Sequence, residues 1–236
     1  MKRLVLALQF LTSLPLPSVK ADAVDFAASM RWFPVAGLAI GGAVAGAAWI
    51  GMRIDLWLGA LLALIAWVAI TGALHLDGLG DIADAAGAAH GDRDRLSEVL
   101  EDPHIGSFGV VAIGLQLMTK FVLLRLTLED IPLWILLVIA SLARIGPLVW
   151  TLFLPPLHEG LGSKFRSEIA WPHVTVWMLV ASIVVWFAPP LGVCFGLFAL
   201  WGLWIRRKIG GISGDGHGAG IELVESGLLL AMIGLS

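Results

Sequence analysis

Residues 32–52, WFPVAGLAIGGAVAGAAWIGM, and residues 56–76, LWLGALLALIAWVAITGALHL, contain no aspartate, glutamate, lysine or arginine. Crossing the hydrocarbon core of a bilayer takes about 20 apolar residues in a helix, and each stretch supplies that length. The rest of the 236-residue chain agrees, with 58% apolar and 14% charged residues and a mean hydropathy of +0.91. That is too oily for an ordinary soluble domain. Outward from these two stretches, residues 105–125 carry Lys120 and residues 131–151 carry Arg144, while residues 169–205 are free of acids, lysine and arginine and are divided by Pro189 and Pro190. A last apolar segment, residues 221–235, opens on Glu222 and Glu225. The expected fold is therefore an all-α, polytopic transmembrane helical bundle of six or seven spans in one domain, residues 1–236. Repeated glycine and alanine in residues 36–48 suit close helix packing in lipid.

The N-terminal MKRLVLALQFLTSLPLPSVKADA has the basic start and short apolar core of a leader peptide, but Gln9, Ser13, Pro15 and Pro17 interrupt it. It reads instead as a short interfacial helix followed by a proline turn. Basic residues are distributed unevenly. With a cytoplasmic N-terminus, seven spans place Lys2, Arg3, Lys20, Arg31, Arg93, Arg95, Lys164, Arg166, Arg206, Arg207 and Lys208 on one side and Arg53, with Arg125 at the end of a span, on the other. This asymmetry predicts a multi-pass protein of the bacterial cytoplasmic (inner) membrane. Three polar segments, residues 77–104, 155–170 and 206–220, then face the cytoplasm and can converge. Single Cys194, in an apolar run, serves packing and leaves no cysteine-based zinc site or disulfide. Nothing suggests a nucleic-acid partner.

The chemistry-bearing stretch is TGALHLDGLGDIADA, residues 71–85. In a helix, Asp77, Asp81 and Asp84 stand at i, i+4 and i+7 on one face. A solvated acidic face is the plain explanation, but carboxylates at a bilayer boundary are costly and are usually paired or functional. Clustered carboxylates with open positions suit Mg2+, which keeps sites for substrate phosphate. Glycine-rich GGISGDGHGAGIELVE, residues 210–225, feeds a helix whose first N–H groups can meet phosphate, and Asp215 within it can complete a metal set. Glu222 and Glu225 fall in the first turn of that helix if it starts at the apolar run. Lys120 and Arg144 are intramembrane cations, either matched to carboxylates or used on a ligand. Glu98 and Asp102 share a helical face, and His158, Glu159, Lys164 and Arg166 read as solvated loop charge. No zinc, Walker or Ser-His-Asp pattern is present.

LQFLTSLPLP (8–17), RWFPVAGLAIG (31–41), TGALHLDGLGDIADA (71–85), EDPHIGSFGV (101–110), ARIGPLVW (143–150), HEGLGSKF (158–165) and GGISGDGHGAGIELVE (210–225) together resemble the cobalamin synthase family over nearly the whole chain. The resemblance implies the last assembly step of vitamin B12. In it, adenosylcobinamide-GDP and alpha-ribazole, or its 5'-phosphate, give adenosylcobalamin, or its 5'-phosphate, and GMP. It also implies a membrane site with Asp77, Asp81, Asp84 and Asp215 as metal ligands or supports for Mg2+, a carboxylate or His75 taking the hydroxyl proton, and Arg144 binding phosphate. Membrane lipid is an expected partner, and a homo-oligomer or contact with other membrane enzymes of the pathway stays open. This chain departs from the family pattern where it has Gly72-Ala73 in place of two glycines, His217 in place of an apolar residue, and Glu101 before Asp102. A CDP-alcohol phosphotransferase has related chemistry but a different aspartate spacing, and a transporter would use Lys120 and Arg144 as pathway charges.

Overall fold

A computed structural model of the chain describes residues 1–88, 96, 99–100, 102, 104–157 and 161–235, with the backbone alone at 161–163. The sequence candidates Arg93, Arg95, Glu98, Glu101, His158 and Glu159 lie outside the described residues. Every named element is helical: α1 (Lys2–Leu11), α2 (Ala23–Ala28), α3 (Phe33–Met52), α4 (Leu56–Thr71), α5 (Leu74–Ala88), α6 (Ser107–Asp130), α7 (Trp134–Ala143), α8 (Gly146–Phe153), α9 (Leu161–Glu168), α10 (Trp171–Phe187), α11 (Val193–Lys208) and α12 (Gly214–Gly234). Short 3-10 turns, Ser29–Trp32 and Pro189–Gly192, lead into α3 and α11.

The apolar runs of the sequence are recovered as helices of unequal length. Among the described residues, four segments are long and apolar enough to cross a membrane, or five if α4 and α5 form one broken span, and α10 is a shorter apolar helix. Two of the helices have other bounds than the apolar runs suggest. The second apolar run of the sequence stops at Thr71 rather than Leu76, because Gly72 (φ +58°) and Ala73 (φ +59°) both adopt the left-handed conformation. The chain turns there by 83° between α4 and α5. At the other end, α12 starts at Gly214, seven residues before the apolar run at Ile221, with Ser213 as its N-cap. Glu222 and Glu225 therefore lie inside the helix and not in its first turn.

Packing is that of a lipid-facing bundle. On α6, Val111, Leu115, Met118 and Val122 are exposed, while Gln116, Lys120 and Thr127 are buried. Apolar groups point outward and polar ones inward, the reverse of a helix on a soluble protein. A Cβ on Gly37 or Gly41 of α3 would collide with the backbone of α7, so these glycines permit the close contact expected of them. Cys194 is buried, as a packing residue should be.

Helix α12 is the most internal element, packed against α5, α6, α7, α8 and α11. It is held by charge. Lys120 Nζ donates to Glu222 Oε2 at 2.7 Å and to Glu225 Oε2 at 2.6 Å. The other oxygen of Glu225 accepts from Arg144 Nη1 at 2.6 Å and from Trp67 Nε1 at 3.2 Å. Gln116 Nε2 donates to Glu222 Oε2 at 2.9 Å, and the Lys120 ammonium lies 4.6 Å from the Trp67 ring centroid. Two cations and two carboxylates thus cancel in a buried interior, joining α4, α6, the α7 terminus and α12.

Two outcomes follow for stability in detergent micelles. Glu225→Ala strands Arg144 and leaves Lys120 with Glu222 alone, so it should cost about 3–5 kcal/mol, read as a fall in Tm and in yield. Ala73→Gly removes a left-handed Cβ and should stabilise by about 1 kcal/mol, a rise in Tm of about 2–4 °C, whereas Ala73→Val should lower Tm.

Candidate active site

The bend at Gly72-Ala73 turns α5 across the start of α12. At Gly78 a side chain would strike the backbone of Asp215, and at Gly218 one would press on the backbone of His75. The two helices meet backbone to backbone at these points. That contact brings the acids of α5 beside the carboxylate in the first turn of α12, and Asp215, Asp77 and Asp84 all act through space on Asp81. Asp77 is exposed, and Asp81 and Asp215 are half-buried. The expected shared face of α5 is present, but its members differ in use.

Asp84 is buried and already committed. Its Oδ2 accepts from Gly106 N at 2.7 Å and its Oδ1 from Gly109 N at 2.9 Å. These are free N–H groups at the N-terminus of α6, so Asp84 caps that helix from a distance. A Cβ at Gly106 or Gly109 would overlap the carboxylate, which explains the glycines of the 101–110 block. Asp84 therefore supports the acidic face more than it offers oxygens to a ligand. Among the described residues, no three His, Cys, Asp or Glu side chains are gathered as a ready-made metal cage.

The turn before α12 is built by two further loops. Leu157 N donates to Ile212 O at 3.0 Å and Ile212 N to Pro155 O at 2.9 Å, a short parallel bridge between residues 155–157 and 212. Ser213 Oγ accepts from Gly216 N at 3.1 Å, closing the first turn that carries Asp215. Of the converging polar segments expected from sequence, parts of all three meet here. Arg166 Nη1 donates to Leu154 O, bracing the same loop, and Lys164 is exposed.

Arg144 lies elsewhere. It is completely buried, and its Nη1 donates to Glu225 and to Ala140 O at 2.7 Å. It has no surface to offer a phosphate; its position is that of an ion-pair partner, the other alternative for an intramembrane cation. His75 is also buried, with Nδ1 3.5 Å from Arg144 Nη2. A guanidinium only donates, so Nδ1 accepts and the ring proton sits on Nε2. His75 Nε2 has no hydrogen-bond partner. His217 is buried against Trp150, ring centroids 6.1 Å apart, with Nε2 3.3 Å from Thr151 Oγ1. Gln116 escaped the sequence reading, although a Gln and a Lys at i and i+4 within an apolar span already marked a polar inner face of α6.

Similarity to known proteins runs the length of the chain. A family model described as Cobalamin-5-phosphate synthase matches residues 3–233. The chain is similar to the adenosylcobinamide-GDP ribazoletransferase of Novosphingobium aromaticivorans, 56% identical over 98% of this chain and 96% of that protein. Proteins of the same name from Thiobacillus denitrificans (46% identical, 100% of this chain and 97% of that one) and Brevibacillus brevis (31%, 97% and 96%) are also similar. No solved structure matches. The match over residues 3–233 and the 56% identity to a relative covered nearly end to end place this chain in the cobalamin-5-phosphate synthase family.

Proposed function

We propose that the chain is an Mg2+-dependent adenosylcobinamide-GDP ribazoletransferase that carries out the last assembly step of cobalamin. The observation that supports this most is the contact at Gly78, which sets Asp215 beside Asp77 and Asp81. In the reaction, a hydroxyl oxygen of alpha-ribazole, or of its 5'-phosphate, forms a bond to the phosphorus on the corrinoid arm. The bond from that phosphorus to the GMP oxygen breaks, and GMP leaves with the electron pair.

Both partners bring phosphate or hydroxyl oxygen to the site, so the site needs positive charge. Asp77, Asp81 and Asp215 are the ligands proposed for Mg2+, with Asp84 holding the shape of the face. Mg2+ is commonly held through one or two carboxylates and completes its shell with water and substrate phosphate, which fits hard oxygens clustered without a closed cage. When bound, the ion would neutralise charge on the pyrophosphate. The carboxylates do the rest: they orient the nucleophilic hydroxyl, and one of them that is not spent on the ion takes its proton.

Location belongs to the same proposal. Lys2 and Arg3 begin the chain and Arg206, Arg207 and Lys208 end α11, one connection before Asp215. By the positive-inside rule these ends, and the site with them, face the cytoplasm across the inner membrane.

The test is product formation by purified protein in liposomes given adenosylcobinamide-GDP and alpha-ribazole. GMP and adenosylcobalamin should appear in equal amounts with Mg2+ and stop with EDTA; a folded protein that makes neither refutes the assignment. Asp81→Asn should lower turnover about 100-fold or more with Tm unchanged. Asp84→Ala should instead lower stability by about 1–2 kcal/mol through the lost cap.

A further inference from the structure

Beside the acidic face lies a cavity of about 200 Å³ between α1, α3, α5, α9 and the start of α12. Phe10, Phe33 and Phe165 line one side, with Phe10 and Phe33 stacked at 5.8 Å and Phe165 edge-on to Phe33 at 6.1 Å. His75, His217 and Asp215 line the other. His75 is 2% and His217 6% exposed, and His75 Nε2 and His217 Nδ1 have no hydrogen-bond partner.

The unpaired nitrogens differ in role. With Nδ1 accepting from Arg144, His75 Nε2 carries the proton and is a donor. Thr151 Oγ1 lies 3.3 Å from His217 Nε2 and 3.5 Å from Met30 Sδ, and His217 Nδ1 is left to meet a hydroxyl, which can donate or accept. Leaving such buried groups unpaired is unfavourable. The site is therefore built for a ligand part that is flat, mostly apolar, and carries a ring acceptor and a hydroxyl.

Size and polarity exclude other occupants. A cavity below the roughly 300–1,000 Å³ of whole-ligand sites takes one ring system, and a corrinoid is far larger. Guanine presents several donors and acceptors along one edge, and most would find no partner here. An acyl chain would leave both imidazole nitrogens unpaired. A benzimidazole nucleoside has a single free ring nitrogen, which is an acceptor, and its sugar carries hydroxyls.

We infer that this cavity seats the planar base of the alpha-ribazole substrate, with its free ring nitrogen accepting from His75 Nε2–H and its ribose directed toward His217 and Asp215. The inference rests on the ribazole-transfer reading and assigns the acceptor-substrate half of that site. His75 is then a binding and specificity residue, held in the donating tautomer by the Glu225–Arg144 pair.

The test compares alpha-ribazole with the matching dimethylindole riboside, in which the free ring nitrogen is a C–H group. Both are measured with the full-length protein in nanodiscs, by equilibrium dialysis and as substrates alongside adenosylcobinamide-GDP. The wild type should bind the indole compound about 10- to 100-fold more weakly. In His75→Phe the two nucleosides should bind alike, with the KM for adenosylcobinamide-GDP unchanged. Equal binding of both nucleosides by the wild type overturns the inference, and that comparison needs no variant to fold. A His75→Phe protein that weakens both equally, or raises the KM for adenosylcobinamide-GDP, overturns it as well. If the wild type discriminates between the nucleosides yet makes no product, ribazole transfer fails while the seat for the base stands. If it binds neither nucleoside, the seat fails whatever the turnover.

Discussion

Four buried charges decide how this bundle goes together. Lys120, Arg144, Glu222 and Glu225 come from three parts of the chain and lie among apolar helices, where an unmatched charge is costly. They are tolerable only together, so α6, the α7 terminus and α12 must meet at one level and in one rotation. The constraint reaches the acidic face directly. Asp215 and Glu222 are seven residues apart, two turns along one side of α12, so fixing Glu222 against Lys120 also fixes the direction of Asp215. Through Arg144, the same cluster sets the tautomer of His75.

A second constraint is conformational. Two successive left-handed residues end α4 and redirect the chain, so carboxylates that follow a membrane span in sequence do not continue along its axis. They are laid against α12 instead. Asp84 then reaches the N-terminus of α6 and fixes the third side. The acidic helix is thus anchored by its own bend at one end and by a cap on a neighbour near the other.

Much of this was legible in the residues. The helical class, the first long span at residues 32–52 and the helical face shared by Asp77, Asp81 and Asp84 follow from hydropathy and spacing, which are local properties. The division of labour within that face is not local. Asp84 is distinguished from Asp81 only by Gly106 and Gly109, more than twenty residues further on. The pairing of Arg144 with Glu225 joins positions 81 residues apart, and composition gave pairing and ligand binding equal standing. The early start of α12 was hidden because glycine and a histidine give no apolar signal, although Ser213 was a readable N-cap. The early end of α4 was hidden for the opposite reason: Ala73 is a good helix former that here sits in a glycine conformation. The two glycines of the family pattern were the one hint.

The contact of α5 with α12 at Gly78 and Gly218 has a mechanical meaning. With no side-chain layer between the two backbones, there is nothing to slide or re-pack, and the pair moves as a single beam. Asp215 cannot withdraw from Asp77 and Asp81 unless that beam breaks. The close approach of the two backbones thus fixes the spacing of Asp215 from the acids of α5 without any side chain between the helices.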